Sequence, residues 1–190
     1  MGEMEAAGAM VIEEVQDGGV EAFRVIVEQN SQRMFRLAYR MTGNEQDAED
    51  VVQETFLRAF RQFGRFDSRA RVSSWLHKIA SNYAIDLMRR RQRWRKTDLE
   101  QLDHVAPLTG TEPEPDRGAW SAEVRDAVQA ELDHLTPRER VAFTLRHYEG
   151  LSIREIGRVM GLRESATKNH IFRAVRKMRK ALTPLMSETP

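Results

Sequence analysis

The chain of 190 residues has a formal net charge of +1, with 41% hydrophobic and 31% charged residues, a balance typical of a folded protein rather than a disordered one. It contains no cysteine, which excludes disulfides and thiolate chemistry. No apolar run approaches the length of a membrane span, and the acidic N-terminal segment is the opposite of a signal peptide. We therefore expect a soluble, cytoplasmic protein without membrane insertion.

Proline placement predicts two helical domains. The first proline is Pro107, and Pro113 and Pro115 follow it closely. An interior proline costs a helix about 3 kcal/mol or more, so the proline-free residues before Pro107 suit long helices. The segment around the prolines is acidic and weakly periodic, which predicts a flexible acidic linker. The predicted all-α chain comprises an acidic N-terminal tail (1–19), a first domain (20–96), the linker (97–119), a second domain (120–184) and a short tail (185–190).

The first domain contains three amphipathic segments. Apolar residues keep helical spacing over residues 23–41, 48–63 and 72–87, and such stripes predict helices that pack as a three- to four-helix bundle. The inner stripe of the second segment is predicted to include Phe56 and Phe60.

Acidic residues occupy one flank of that second segment. Asp47, Asp50 and Glu54 are spaced i, i+3, i+7 and therefore share a face. Three interpretations are open. The acids form a solvated face whose negative charge stabilises the helix N-terminus, they form a docking face for a protein partner, or they are the carboxylates of a metal-dependent nuclease. The nuclease lacks support because no histidine accompanies the acids at ligand spacing. No metal or other cofactor is expected.

Positive charge is concentrated in two runs, one in each domain. Residues 86–96 and residues 168–180 each hold six lysines or arginines. Clusters of this kind on two separate faces are typical of contact with nucleic-acid phosphate at two places.

The loop at residues 66–75 has an aromatic residue at each end, with arginines and small polar residues between them. Exposed aromatics beside cations stack on unpaired bases, at about 1–3 kcal/mol per base, although Trp75 by itself is interpreted as a core residue. Asn82 and Asp86 lie on the polar face of the following helix, beside the arginines, and are candidates for contact with base edges.

The second domain has the pattern of a helix-turn-helix. Residues 136–139 and 152–155 each fit a capping box, in which a hydroxyl residue opens a helix and a glutamate follows three residues later. Gly150 and Gly161 close these two helices, the first of which is predicted to bury Tyr148. A longer basic helix follows and extends to about Leu182. This arrangement predicts that the basic helix enters a DNA major groove; a surface helix with a solvated cationic face is the alternative.

The basic helix carries two groups of candidate DNA contacts. Asparagine pairs with adenine and lysine or arginine with guanine, each at about 1–3 kcal/mol of discrimination, and the residues predicted to face the groove are Lys168, Asn169, Phe172 and Arg173. Arg176 and Lys177 lie farther along and are predicted to hold backbone phosphate.

Together these segments resemble the extracytoplasmic-function sigma factors of the sigma-70 family. Residues 47–60, Trp75–Asn82, Asp86 and Arg89–Arg91 are similar to their region 2, and residues 135–140, 149–157 and 172–174 are similar to their region 4. The resemblance covers nearly all of residues 21–182 in the right order. It implies two helical DNA-binding domains that bind core RNA polymerase, direct it to promoters and catalyse no reaction.

The resemblance also implies a role for each surface. The acidic face would dock on the clamp helices of the polymerase β′ subunit through Asp47, Asp50, Gln53, Glu54 and Leu57. The first domain would recognise the −10 element as a melted single strand through Phe66, Ser68, Arg69, Arg71, Ser74, Asn82, Asp86, Arg89 and Arg90. The helix-turn-helix would recognise the −35 element as duplex through Ser165, Lys168, Asn169, Phe172, Arg173, Arg176 and Lys177. The apolar surface around residues 135–148 would meet the β flap, and an anti-sigma factor is a further expected partner.

The chain departs from the family at the start of the basic helix, where Arg163–Thr167 replace a serine cap and a Gly-Thr-Val run. This departure indicates an unusual −35 preference. A stand-alone helix-turn-helix regulator is the alternative function, but it would have no use for the aromatic loop and the arginine run of the first domain.

Overall fold

The structure, a computed structural model, describes residues 20–63, 71–99, 128 and 131–187. These ranges contain helices and connecting turns and no strand, as the all-α prediction requires. The helices are α1 (Val20–Thr42), α2 (Glu45–Gln62), α3 (Val72–Leu99), α4 (Pro137–His147), α5 (Ile153–Met160) and α6 (Glu164–Ser187). The predicted N-terminal tail and most of the predicted linker lie outside the described residues.

Local capping interactions set the helix boundaries. Asn44 caps α2 by accepting a hydrogen bond from the Asp47 backbone N–H, 2.7 Å away. Both predicted capping boxes are present, at Thr136 before α4 and at Ser152 before α5. Helix α3 continues to Leu99, past residue 96, where the sequence placed the end of the first domain.

The first three helices pack as the predicted bundle, with α1, α2 and α3 in mutual contact. Their fully buried side chains include Met34, Leu37, Val51 and Leu76. The prediction that Phe60 belongs to the inner stripe of α2 is wrong. Phe60 is 47% exposed at the edge of the bundle and touches the core through an edge-on contact with Phe23.

In the second half, α4 packs against α6 and α5 packs against both of them. Leu132 and Leu135, which precede α4, form a small apolar cluster with Ala174 and Met178 of α6. Tyr148 was predicted to be buried but is 42% exposed, because it follows the last turn of α4 at the edge of the packed face.

The two halves of the chain also pack against each other. Helix α4 contacts α1 and α3, and α5 contacts α3. Val141, Leu145 and Ile156 belong to the same apolar core as the first three helices. The sequence predicted two domains joined by a linker, and in the described residues the two halves share one large apolar core beside the small cluster of the second half.

None of the described helices is both long enough and apolar enough to cross a membrane.

Candidate nucleic-acid interfaces

One exposed stripe of α3 carries most of the described residues that were predicted to recognise the −10 element. Positions four residues apart along a helix lie on the same face, and Ser74, Asn82 and Asp86 follow this spacing with Lys78 between them. All four side chains are exposed, as are Arg89 and Arg90 one turn farther on. At 1.5 Å per residue, the stripe from Ser74 to Arg90 is about 24 Å long, enough to follow several nucleotides.

A cleft of about 190 Å³ opens beside the first half of this stripe. Trp75 forms one wall and is fixed by an edge-on contact with Phe63, with ring centroids 5.8 Å apart. The cleft combines an aromatic wall with cationic and amide groups, which suits an unpaired base. Its lining residues are Arg58, Gln62, Trp75, Lys78, Ile79 and Asn82.

Sequence reasoning missed Arg58, Gln62 and Lys78 as members of this site. Arg58 and Gln62 are on α2, and only the packing of α2 against α3 brings them beside Asn82. Lys78 could have been found from its position between Ser74 and Asn82. Arg71 is exposed at the entry to α3, whereas Phe66, Ser68 and Arg69 lie outside the described residues.

The basic end of α3 is partly engaged within the protein. The Arg90 and Arg58 guanidinium groups lie 5.7 Å and 5.1 Å from the centroid of the Tyr83 ring, in the range of cation–π contacts. Arg91 donates a hydrogen bond to the Asp47 carboxylate on α2. Trp94 was not predicted as a site residue, but its ring is 70% exposed among the arginines.

The outward face of α2 combines acidic, amide and apolar side chains. Asp50, Gln53 and Leu57 are exposed on it, together with Phe60, which the helical periodicity had assigned to the core. Glu54 is partly buried and accepts a hydrogen bond from Arg58 at 2.6 Å. Asp47 is held by Arg91 and by Asn44, whose Nδ2 lies 2.9 Å from the carboxylate. Asp50 and Leu57 are thus exposed members of this face.

The turn between α5 and α6 depends on two glycines. Gly161 ends α5 with a φ of 65°, in the left-handed region that favours glycine. At Gly157 the chain passes so closely that a Cβ would lie 2.9 Å from the Leu162 carbonyl oxygen. The Leu162 N–H returns to the Gly157 carbonyl at 2.8 Å. This tight turn presents α6 as the second helix of a helix-turn-helix.

The atypical start of α6 forms a regular helix beginning at Glu164. Thr167 is fully buried, and its hydroxyl donates to the Arg163 carbonyl at 3.1 Å. Ser165 is exposed at this first turn. The Arg163–Thr167 segment therefore anchors the helix through Thr167 and leaves Ser165 on the surface.

The predicted DNA-facing residues of α6 are on its outer surface. Lys168, Asn169, Arg173 and Arg176 are exposed, and the Phe172 ring is 67% exposed. Arg173, Arg176, Lys177 and Lys180 line an open groove of about 250 Å³. Four cations along one groove attract phosphate.

Lys177 has an additional role inside the protein. Its ammonium group donates to the buried carboxylate of Glu139 at 2.7 Å, which ties α6 to the first turn of α4. Burial raises the pKa of Glu139, but hydrogen bonds from Lys177 and from the Thr136 backbone and hydroxyl outweigh it and hold the pKa below its ordinary value. Glu139 is therefore ionised and pairs with a residue predicted to hold phosphate.

The acidic face offers no metal centre in the described ranges. No group of three or more histidine, cysteine, aspartate or glutamate side chains there could hold a metal ion. Asp47 and Glu54 are instead paired with arginines.

Comparison with known families matches both halves of the chain. Residues 26–94 match Sigma-70 region 2, and residues 125–178 match Sigma-70, region 4. The chain is 35% identical over 187 residues to the ECF RNA polymerase sigma factor SigE of Mycolicibacterium smegmatis, covering 97% of this chain and 71% of that protein. It is 30% identical over 179 residues to the ECF RNA polymerase sigma factor SigW of Bacillus subtilis, covering 92% and 96%.

Two solved structures share the fold. CnrH in complex with the cytosolic domain of CnrY superposes with a TM-score of 0.64 at 23% identity, covering 96% of this chain and 99% of that one. The sigma factor RpoE of Bartonella quintana, in complex with the anti-sigma factor NepR, superposes with a TM-score of 0.67 at 20% identity, covering 86% and 98%.

A stand-alone helix-turn-helix regulator is not favoured, because a region 2 domain precedes region 4 in this chain. The chain belongs to the extracytoplasmic-function group of the sigma-70 family, and it is an alternative sigma factor that directs promoter-specific initiation of transcription.

Proposed function

We propose that three surfaces of this sigma factor make three different contacts during transcription initiation. The outward face of α2 docks on the β′ clamp helices of core RNA polymerase, the α3 stripe with its cleft recognises the melted −10 element, and α6 recognises the −35 duplex. The observation that carries this proposal is the continuous exposed stripe on α3 beside an aromatic-walled cleft. A protein that only recognises the grooves of duplex DNA does not need a pocket for an unpaired base.

The docking assignment is supported by the composition of the α2 face. Leu57 is 41% exposed and Phe60 is 47% exposed, and Asp50 and Gln53 lie beside them. Apolar side chains surrounded by polar ones are typical of the energetic centre of a protein interface.

The −10 assignment is supported by the types of side chain along α3. Asn82 and Gln62 supply amide groups at the cleft, Trp75 supplies a stacking surface, and Arg58 and Lys78 supply positive charge. Arg89 and Arg90 continue the stripe as phosphate contacts. The predicted contributions of Phe66, Ser68 and Arg69 complete this proposal from the sequence.

The −35 assignment places base contacts at Lys168, Asn169, Phe172 and Arg173, with Ser165 and Arg176 toward the phosphates. Lys177 completes the groove while paired with Glu139. These roles require no chemistry from the protein itself, and we propose that it acts without catalysis, in the cytoplasm. We propose that region 4 also contacts the β flap and that an anti-sigma factor controls the protein.

The proposed function is tested by transcription in vitro with core polymerase on a library of genomic fragments. Addition of the protein is expected to produce defined start sites that core polymerase alone does not use. Absence of any protein-dependent start site would refute the proposal.

The docking surface is tested with the double variant Asp50→Lys/Leu57→Asp. It is expected to bind core polymerase at least about tenfold more weakly, because it reverses an exposed charge and removes an exposed apolar side chain of the face. Both side chains are exposed, so the thermal melt should change little. Glu21→Lys is the matched control, since it reverses an exposed charge on α1. Core binding equal to wild type would exclude this face as the docking site.

A further inference from the structure

Helix α6 is attached to neighbouring elements at two points. The first is Thr167, in its first turn, which is fully buried beside Gly157 of α5. The second is Lys177, whose ammonium group donates to the Glu139 carboxylate on α4 at 2.7 Å. Residues 167 and 177 lie about 15 Å apart along the helix axis, at roughly 1.5 Å per residue. A helix that is held at two separated points has a fixed direction as well as a fixed position.

The apolar contact around the second point is small. It consists of four buried side chains, two before α4 and two on α6, which are Leu132, Leu135, Ala174 and Met178. The first half of α6 instead adjoins the large core, against which Ile171 is packed. The direction of the second half of α6 therefore depends to a greater extent on the Lys177–Glu139 pair.

The surroundings of Glu139 keep Lys177 in place. Only 5% of the Glu139 side chain is exposed, and its carboxylate also accepts a hydrogen bond from the Thr136 backbone N–H at 3.1 Å. A buried carboxylate that loses its cation carries a large desolvation cost, and movement of Lys177 toward a DNA phosphate would impose that cost. The pair is also neutral as a unit, so it attracts phosphate less than an exposed lysine such as Lys180 does.

The four side chains predicted to contact bases lie between the two attachment points or close to them. They are Lys168, Asn169, Phe172 and Arg173. A rotation of α6 by about 10° about Thr167 would move the Arg173 backbone, about 9 Å farther along the helix, by about 1.5 Å. Hydrogen bonds form over a range of only about 0.5 Å in donor–acceptor distance. Loss of the second attachment would thus misalign the base contacts without removing any of them.

We propose that Lys177 is a positioning residue, which fixes the direction of α6 through Glu139 and does not hold phosphate. The direction of α6 in the free chain is a property of the chain alone. Its consequence for recognition of the −35 element rests on the proposed function. In that setting Lys177 determines how sharply holoenzyme distinguishes −35 sequences, whereas the exposed cations of the groove supply affinity that is independent of sequence.

The direction of α6 is measured by double electron–electron resonance between two spin labels on the full chain. The protein has no cysteine of its own, so cysteines at the exposed positions Arg158 on α5 and Arg179 on α6 would be the sole labelling sites. The otherwise unchanged chain is expected to give one narrow distance distribution. Lys177→Met should shift or broaden it, because the second attachment is lost. Lys180→Met is the matched control, since it makes the same change in the same groove and should leave the distribution unchanged.

The consequence for recognition is measured by binding of holoenzyme to a panel of −35 variants at several salt concentrations. Lys177→Met should reduce the preference for the best −35 sequence over single-base variants by about threefold to tenfold. The slope of the logarithm of the binding constant against the logarithm of the salt concentration should stay the same, because no phosphate contact is lost. Lys180→Met should have the opposite pattern, with a slope lower by about one unit and an unchanged preference.

Glu139→Gln separates the two possible roles of Lys177 by the sign of its effect. Glutamine can replace glutamate in a capping box, so this variant weakens the pair with Lys177 and keeps the start of α4. If Lys177 positions α6, Glu139→Gln should reduce the −35 preference, and its addition to Lys177→Met should cost little more. If Lys177 held phosphate, Glu139→Gln would release its ammonium group and strengthen binding to every sequence.

These measurements give distinct outcomes. An unchanged distance distribution in Lys177→Met, or tighter binding of Glu139→Gln to all −35 sequences, would overturn the positioning role. If Lys177→Met fails to fold by circular dichroism, Glu139→Gln supplies the same comparison in both measurements. If the distances change as expected but wild-type holoenzyme shows no preference among −35 sequences, the positioning role stands and the proposed function of α6 fails.

Discussion

Individual charged side chains on the candidate surfaces differ in how far the protein itself engages them. Lys177 pairs with buried Glu139, and Asp47 pairs with Arg91. Arg173 and Arg176 lie on the exposed side of α6 and line the groove. Substitution of a paired residue therefore changes stability as well as binding, whereas substitution of Arg173 or Arg176 tests DNA contact more directly.

Arg173→Ala is expected to weaken binding of holoenzyme to the preferred −35 sequence by about 1–3 kcal/mol and to flatten discrimination among −35 variants. The reason is that a guanidinium group near the N-terminal half of the recognition helix forks onto guanine. Arg176→Ala should instead weaken binding to all −35 sequences alike. It should also reduce the slope of the logarithm of the binding constant against the logarithm of the salt concentration by about one unit, because one phosphate contact is lost. Binding measured over a −35 variant panel at several salt concentrations separates the two. Uniform losses for both variants would exclude base recognition by Arg173.

At the scale of the secondary-structure element, the helix-turn-helix depends on the close approach of the Leu162 backbone to α5. Gly157 allows the Leu162 backbone to pass over α5, and Gly161 supplies the left-handed residue that ends the helix. Glycine is therefore required for a steric reason at position 157 and for a conformational reason at position 161.

Gly157→Ala is expected to lower the free energy of unfolding by about 1–3 kcal/mol, because the added methyl group would overlap the Leu162 carbonyl and press on Thr167. Denaturant melts monitored by circular dichroism provide the measurement. In Gly161→Ala the new methyl group meets no atom within 4 Å, so its cost comes from the left-handed backbone alone, about 1–2 kcal/mol. A Gly157→Ala protein as stable as wild type would show that the turn relaxes readily.

At the scale of the whole molecule, stability depends on groups that meet only when the halves pack. His77 is 2% exposed, and both of its ring nitrogens lack a hydrogen-bond partner among the described residues. Burial lowers the pKa of His77, against the raising effect of Glu149 and together with the lowering effect of Arg33. The ring is therefore neutral in the packed protein.

Acid is consequently expected to destabilise the packed form through His77. A histidine with a lowered folded pKa contributes stability that is fully present above its ordinary pKa of about 6.5 and is lost as the pH falls below that value. Between about pH 7 and pH 5.5, the unfolding free energy of wild type should fall more steeply than that of His77→Gln, by at most about 1.4 kcal/mol per pH unit.

The comparison between these two proteins isolates His77. Burial also lowers the pKa of His147 and His170, but both residues are present in the two proteins. Denaturant melts at a series of pH values measure the difference, and identical pH profiles would rule out a contribution from His77.

The sequence by itself determined the features that depend on residues close together in the chain. The capping boxes at Thr136 and Ser152, the glycine end of α5 and the exposed side of α6 all follow from spacings of a few residues. Such interactions form within one or two helical turns and need no other part of the molecule. Family resemblance rested on the same local segments, and the models of region 2 and region 4 match residues 26–94 and 125–178.

Only the tertiary structure decided which of the charged and aromatic residues are engaged. The ion pairs Asp47–Arg91, Glu139–Lys177 and Arg33–Glu149 join residues on different helices or turns, and the exposure of Phe60 and Tyr148 depends on where each helix meets its neighbours. Helical periodicity identifies the apolar side of a helix but not the helix that covers it. The shared core was therefore not predictable from the sequence, because the apolar faces of α4 and α5 do not themselves specify their partners, and only their packing against α1 and α3 places them in the core of the first half.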